Sequence, residues 1–207
     1  YSGGTILSQG TLSFAQVEAI GTGAFTLNGG ILLPEANNMI ITNSVNINNS
    51  STISGNSNIT FSGNVLQQGG SRTLTISNTG TTLFNGSTIL LAENNQTRTL
   101  TINVATGAGI VTISNNIQNG TGSGADGFSK SGAGTLLLYG SNTYSGNTTL
   151  SAGLLGVGNS NAIGTGTLVL NGGNLRAETN NLVLTNAVTI NASSIISGNS
   201  NLTFSGN

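Results

Sequence analysis

Nine charged side chains are all that 207 residues provide for acid–base or ionic chemistry. The acids are Glu18, Glu35, Glu93, Asp126 and Glu178, and the bases are Arg72, Arg98, Lys130 and Arg176. Two carboxylates about 5–10 Å apart could hydrolyse a glycosidic bond as acid and nucleophile or base. Glu35 and Glu178 match in type, but their 143-position separation predicts that they lie several structural layers apart. Glu93 and Arg98 are close in sequence, which predicts a surface ion pair that contributes little. Histidine and cysteine are absent. That removes the Ser-His-Asp triad, a thiolate nucleophile and the usual zinc site. Four basic groups cannot neutralise a phosphate backbone, so no nucleic-acid partner is expected.

Three weaker patterns remain. Gly122-Ser123-Gly124-Ala125-Asp126-Gly127-Phe128 has the look of a calcium-binding glycine/aspartate loop. Such a site needs stacked copies and several oxygen ligands, and this run has one Asp, so an ordinary glycine-rich loop is expected. Thr73-Leu74-Thr75 and Thr99-Leu100-Thr101 are 26 residues apart. If stacked, they would make a flat hydroxyl face of the ice-binding kind. Ordinary strand threonine is the simpler reading. Tyr139 and Tyr144 are the one close tyrosine pair that a saccharide site could use. No catalytic, cofactor-binding or metal-binding residue is expected, and no enzyme.

The elements that would carry these residues are written in the composition. Gly 32, Asn 31, Thr 29 and Ser 25 dominate, while charged residues are 4% and Pro occurs once. Apolar residues alternate with polar ones in short bursts, as in Leu74-Thr75-Ile76, Val45-Asn46-Ile47, Ile110-Val111-Thr112-Ile113 and Leu100 to Val104. That is the period of strands with one buried face. Asn-Gly, Gly-Gly and Ser-Gly-Asn turns separate the bursts. No 3.6-residue period with helix caps occurs, and no apolar run approaches the roughly 18 residues that span a membrane.

Self-comparison organises the chain. Residues 1–64 align without a gap to residues 144–207, with 39 identities at an offset of 143. Tyr1-Ser2-Gly3 matches Tyr144-Ser145-Gly146, and Ile53 to Asn58 matches Ile196 to Asn201. The chain thus reads as about one and a half copies of a 143-residue unit, and is expected to be a window of a longer tandem array.

Short strands, frequent turns and abundant asparagine predict an all-β fold, a parallel β-helix over 1–207. Rungs of roughly 20–25 residues give about nine or ten rungs, and about 4.8 Å per rung gives a rod about 45 Å long. Asn tolerates positive φ and can form amide ladders between rungs. Phe25, Phe61, Phe84 and Phe204 are expected inside, and Pro34, which is Ala177 in the second copy, at a corner.

The segment Lys130-Ser131-Gly132-Ala133-Gly134-Thr135-Leu136-Leu137-Leu138-Tyr139-Gly140, continuing through Asn142-Thr143-Tyr144-Ser145-Gly146 to Leu150, closely resembles the autotransporter-associated β-strand repeat of bacterial autotransporter passengers. The resemblance covers roughly 130–173, and 1–30 in the first copy. It implies a right-handed β-helix, secreted to a bacterial surface, in a repeat tied to passenger folding and secretion. The expected function is a structural extracellular rod: a fibre, stalk or adhesin. Near-zero net charge permits lateral approach and exposed end rungs are sheet edges. Partners are therefore expected to be further copies, or a host or neighbouring cell surface. A carbohydrate-binding, carbohydrate-active or ice-binding β-helix is the alternative.

Overall fold

Three to six residues make up each strand before a glycine, asparagine or serine corner turns the chain. The computed structural model describes residues 1–93, 97–122 and 124–206. Among these, strands stack only on strands one turn away, and the pairing is parallel throughout, as in Thr5–Leu7 on Phe25–Leu27. The result is a β-solenoid of about ten turns. Among the described residues, helix is confined to one 3-10 turn, Val17–Ile20.

Each turn contributes to three faces. Face 1 is a six-stranded sheet from Thr5–Leu7 to Asn116–Thr121. Face 2 has nine strands, from Thr11–Phe14 to Val188–Ile190. Face 3 has eight, from Met39–Ile41 to Ile195–Ser197. Face 1 lacks strands in turns 7 and 8 and resumes as the pair Leu182–Leu184 and Leu202–Phe204. Buried Asn142 replaces the ladder there. Its Oδ1 accepts the Ile117 N–H at 2.8 Å and its Nδ2 donates to the Ala162 carbonyl at 2.5 Å, tying three turns.

Turn length is not constant. On face 2 the stacked pairs are Thr11/Ile31, Ile31/Thr52, Ser51/Leu74, Leu74/Ile102, Leu100/Phe128, Phe128/Thr148, Thr148/Leu168 and Leu168/Val188. Their separations are 20, 21, 23, 28, 28, 20, 20 and 20 residues. The middle exceeds the expected 20–25 because strands Thr88–Glu93, Thr99–Val104 and Asn116–Thr121 grow to six residues. The corner between faces 1 and 2 also lengthens there. This corrects the threonine register. Thr73 stacks on Thr101 and Thr75 on Asn103, while Thr99 lies beside Gly127, so the two Thr-Leu-Thr rows do not superpose.

Inward residues fill the coil with aliphatic side chains and aromatics; Phe61 and Phe84 stack at 4.8 Å between ring centroids. Phe25, Phe61 and Phe84 are buried as expected, as are Phe14 and Phe128. Phe204 is not. It keeps the inward position but is 36% exposed, because no described turn covers it. Pro34 closes strand Ile31–Pro34 at the corner, and the Phe14 carbonyl is served by the Glu35 N–H instead. Corners stack backbone on backbone. A Cβ on Gly86 would sit 2.2 Å from the Gly63 carbonyl oxygen, which explains glycine at that position.

Candidate functional site

Each candidate residue has a defined place on this scaffold, and the carboxylates do not converge. Glu35 sits beyond face 2 and accepts a hydrogen bond from Ser13 Oγ. Glu178 lies beyond face 3 and pairs with Arg176, Nε to Oε1, at 2.6 Å. Glu18 belongs to the 3-10 turn. The Glu93 side chain lies outside the described residues, so its pairing with Arg98 is not described. The Arg176–Glu178 pair joins strand Asn174–Ala177 to the residue just after it and was not singled out in the sequence.

Asp126 is buried, and its carboxylate does structural work. Oδ1 accepts the Arg98 N–H and Oδ2 the Gly120 N–H, each at 3.0 Å. It ties Arg98, just before strand Thr99–Val104, to Gly120 in strand Asn116–Thr121. Ser123 of the candidate calcium loop lies outside the described residues. Among the described residues no three metal-ligating groups cluster.

Lys130 is the least expected placement. It points into the coil, in register between Ile102 and Leu150, with no exposed surface. Three N–H groups of its ammonium donate to the carbonyls of Ser131 and Gly132, both at 2.7 Å, and Ala152 at 3.1 Å. Burial pulls its pKa down from 10.5 to about 8. Carbonyls saturate the amine, so it acts as a clasp between turns 6 and 7.

The two close tyrosines separate. Tyr144 is buried against Phe128, with its hydroxyl 2.6 Å from Thr148 Oγ1, which itself donates to the Ile163 carbonyl at 2.7 Å. Burial raises its pKa, and the Thr148 hydrogen bond opposes that shift. Tyr139 is 38% exposed and lies against Gly158. Glu178 similarly covers Gly156. These two side chains fill the space above two glycines on face 3. Two surface depressions of about 390 Å³ are open elsewhere. One, lined by Glu18, Thr22 and Asn43, contains a single carboxylate. The other is lined by Thr97, Thr99, Ser145 and Asn147 and contains none. Neither includes a tyrosine. No helix among the described residues is long and apolar enough to cross a membrane.

Side-chain amides and backbone carbonyls bind one turn to the next. Asn43 Nδ2 donates to the carbonyls of Gly21 at 2.9 Å and Gly23 at 2.6 Å. Asn186, its counterpart in the second copy, does so to Gly164 at 3.0 Å and Gly166 at 2.6 Å. Amide ladders join Asn58 to Asn38 at 3.2 Å and Asn201 to Asn181 at 3.4 Å. Asn38 and Asn181 both adopt φ of 60°, the left-handed corner that asparagine tolerates.

The passenger-associated-transport-repeat family matches residues 1–14 and 128–157. These two stretches end at equivalent points of the 143-residue offset and are shorter than the expected 1–30 and 130–173. An adhesin BmaC autotransporter of Brucella suis biovar 1 (strain 1330) is 32% identical over 181 residues, covering 68% of this chain and 5% of that protein. The chain thus spans 5% of the length of the curated relative it matches. No solved structure matches it. The chain is a β-solenoid with two stretches that match the passenger-associated transport repeat, and it is similar to part of an autotransporter adhesin.

Proposed function

We propose that this segment is part of the stalk of an extracellular bacterial surface protein of the adhesin or fibre class, without enzymatic activity. The observation that carries the reading is the turn-to-turn strand ladder that runs along faces 2 and 3. Parallel backbone ladders, glycine corners and inward aliphatic residues give stiffness without disulfides. About ten turns at about 4.8 Å each make a rod of about 48 Å. The passenger-type repeat supports export to the cell surface, and the likeness to an adhesin supports a role in contact. The 143-residue offset supports a longer tandem array in which this segment is one and a half units. A nearly uncharged surface allows such rods to lie side by side.

Antibodies raised against this chain, applied to intact cells of the source bacterium, test the reading. Surface labelling is the expected result. Deleting one unit should shorten the projecting filament by the length of its turns, about 30 Å at about 4.8 Å per turn. Labelling only after lysis, or deletion that leaves filament length unchanged, would overturn it. Sedimentation of the purified chain at rising concentration tests lateral association, with larger species expected.

A further inference from the structure

Residues 1–64 and 144–207 repeat in sequence but not on the same faces. Thr5–Leu7 lies on face 1, and its counterpart Thr148–Leu150 on face 2. Thr11–Phe14 lies on face 2, and Leu154–Val157 on face 3. Met39–Ile41 lies on face 3, and Leu182–Leu184 where face 1 resumes. The strands beginning at Phe25, Ile31, Val45, Ser51 and Ile59 shift in the same sense. Local contacts are nevertheless copied. Tyr1 and Tyr144 hydroxyls meet Thr5 and Thr148, and Asn43 and Asn186 bridge equivalent glycines.

We infer that the 143-residue unit completes six turns and one further face, so that successive units present the same surface a third of a turn apart. This rests on the reading of the chain as a segment of a tandem rod. The widened middle sets the phase. Six turns carry the chain from Thr5 past Ile117 to Asn142, and the extra face places Thr148 beside Phe128. Three units, 429 residues and nineteen turns, return to the starting face after about 91 Å at about 4.8 Å per turn.

The consequence is for recognition. The amide ladder of Asn38 and Asn58 lies at the corner between faces 2 and 3, and that of Asn181 and Asn201 at the corner between faces 3 and 1. A contact patch encoded once per unit is therefore offered on all sides of the rod. A rod with in-phase units would be adhesive along one edge; this one meets a partner in any rotational setting. The outward ladder repeated in both copies is made of asparagine amides, so the partner it fits is an uncharged, hydrogen-bonding surface.

Cysteine pairs test the phase, since the chain has no cysteine of its own. Ser129 stacks on Thr149 in the structure, whereas an in-phase repeat would put Thr149 on face 1 above Gln118, in the column Ile6, Thr26, Asn46, Leu66, Leu90, Gln118. Stacked neighbours fall within disulfide reach. In the purified 207-residue chain, Ser129→Cys with Thr149→Cys should crosslink under mild oxidation, and Gln118→Cys with Thr149→Cys should stay reduced. The reverse outcome would overturn the phase. Thr26→Cys with Asn46→Cys, and Val169→Cys with Thr189→Cys, close under either phase. Their failure would sink the coil itself and with it the rod reading.

Discussion

Val45–Phe61 and Val188–Phe204 occupy matching positions in the two copies and have opposite environments. Ile47, Ile53 and Phe61 are 1%, 0% and 0% exposed. Their counterparts Ile190, Ile196 and Phe204 are 67%, 49% and 36% exposed. The residue types are identical, and so is the inward setting. What differs is the turn above: the first set is covered by the strands at Val65, Arg72 and Thr82, while no described turn covers the second. The opposite end shows the same effect, with Tyr1 70% exposed and Tyr144 fully buried behind Phe128. In a solenoid, the core is an interface between neighbours, and a turn's sequence supplies only half of it.

Matched substitutions can break this comparison. The largest gap is expected for Phe61→Ala against Phe204→Ala. The first should cost about 3–5 kcal/mol in urea unfolding, as a buried aromatic does, and the second about 1 kcal/mol or less. Equal costs would mean that burial by the next turn is not what stabilises the coil. Next come the glycines that receive the tyrosine rings. Gly164 has φ of 65° and its added Cβ would meet the Tyr144 carbonyl at 2.6 Å and its locked ring at 2.8 Å. Gly164→Ala should therefore destabilise by about 2–4 kcal/mol. Gly21→Ala has the same φ problem, but Tyr1 is free to swing away, so about 1–2 kcal/mol is expected.

The amide bridges sharpen the comparison by being equal. Asn43 and Asn186 donate backwards, to the preceding turn, and so do not depend on the turn that follows. Asn43→Ala and Asn186→Ala should each cost about 1–2 kcal/mol, with melting shifts that coincide. A further test is a pH dependence. Lys130 holds its proton less tightly in the fold, with a pKa of about 8 against 10.5. Between those values the unfolded chain binds more protons, so stability should rise with pH across that window. Lys130→Met should abolish the rise. A fall in stability there for the parent chain would contradict the buried setting.

Alternation such as Leu100 to Val104 and the Asn/Gly corners made the strands and the coil legible in the sequence, because period two and tight turns are local properties. Turn length was not legible. Thr73 and Thr99 suggested one turn in 26 residues, but register is set by contacts between turns, which place Thr73 on Thr101. Asp126, whose carboxylate accepts the N–H groups of Arg98 and Gly120, read only as a loop residue. Lys130 was equally hidden, because a lysine among serines and glycines looks exposed until three carbonyls are found around it. The scarcity of reactive groups was plain from composition. The different faces taken by the two copies were not, since the offset is counted in residues and the faces in turns.

Hydrogen exchange on the isolated 207-residue chain tests the central claim most directly, by comparing peptides covering 45–61 and 188–204. The account predicts that the first is protected at least about a hundredfold more than the second, despite their shared sequence. Equal protection would show that each turn holds itself together, and would contradict a core made between neighbours.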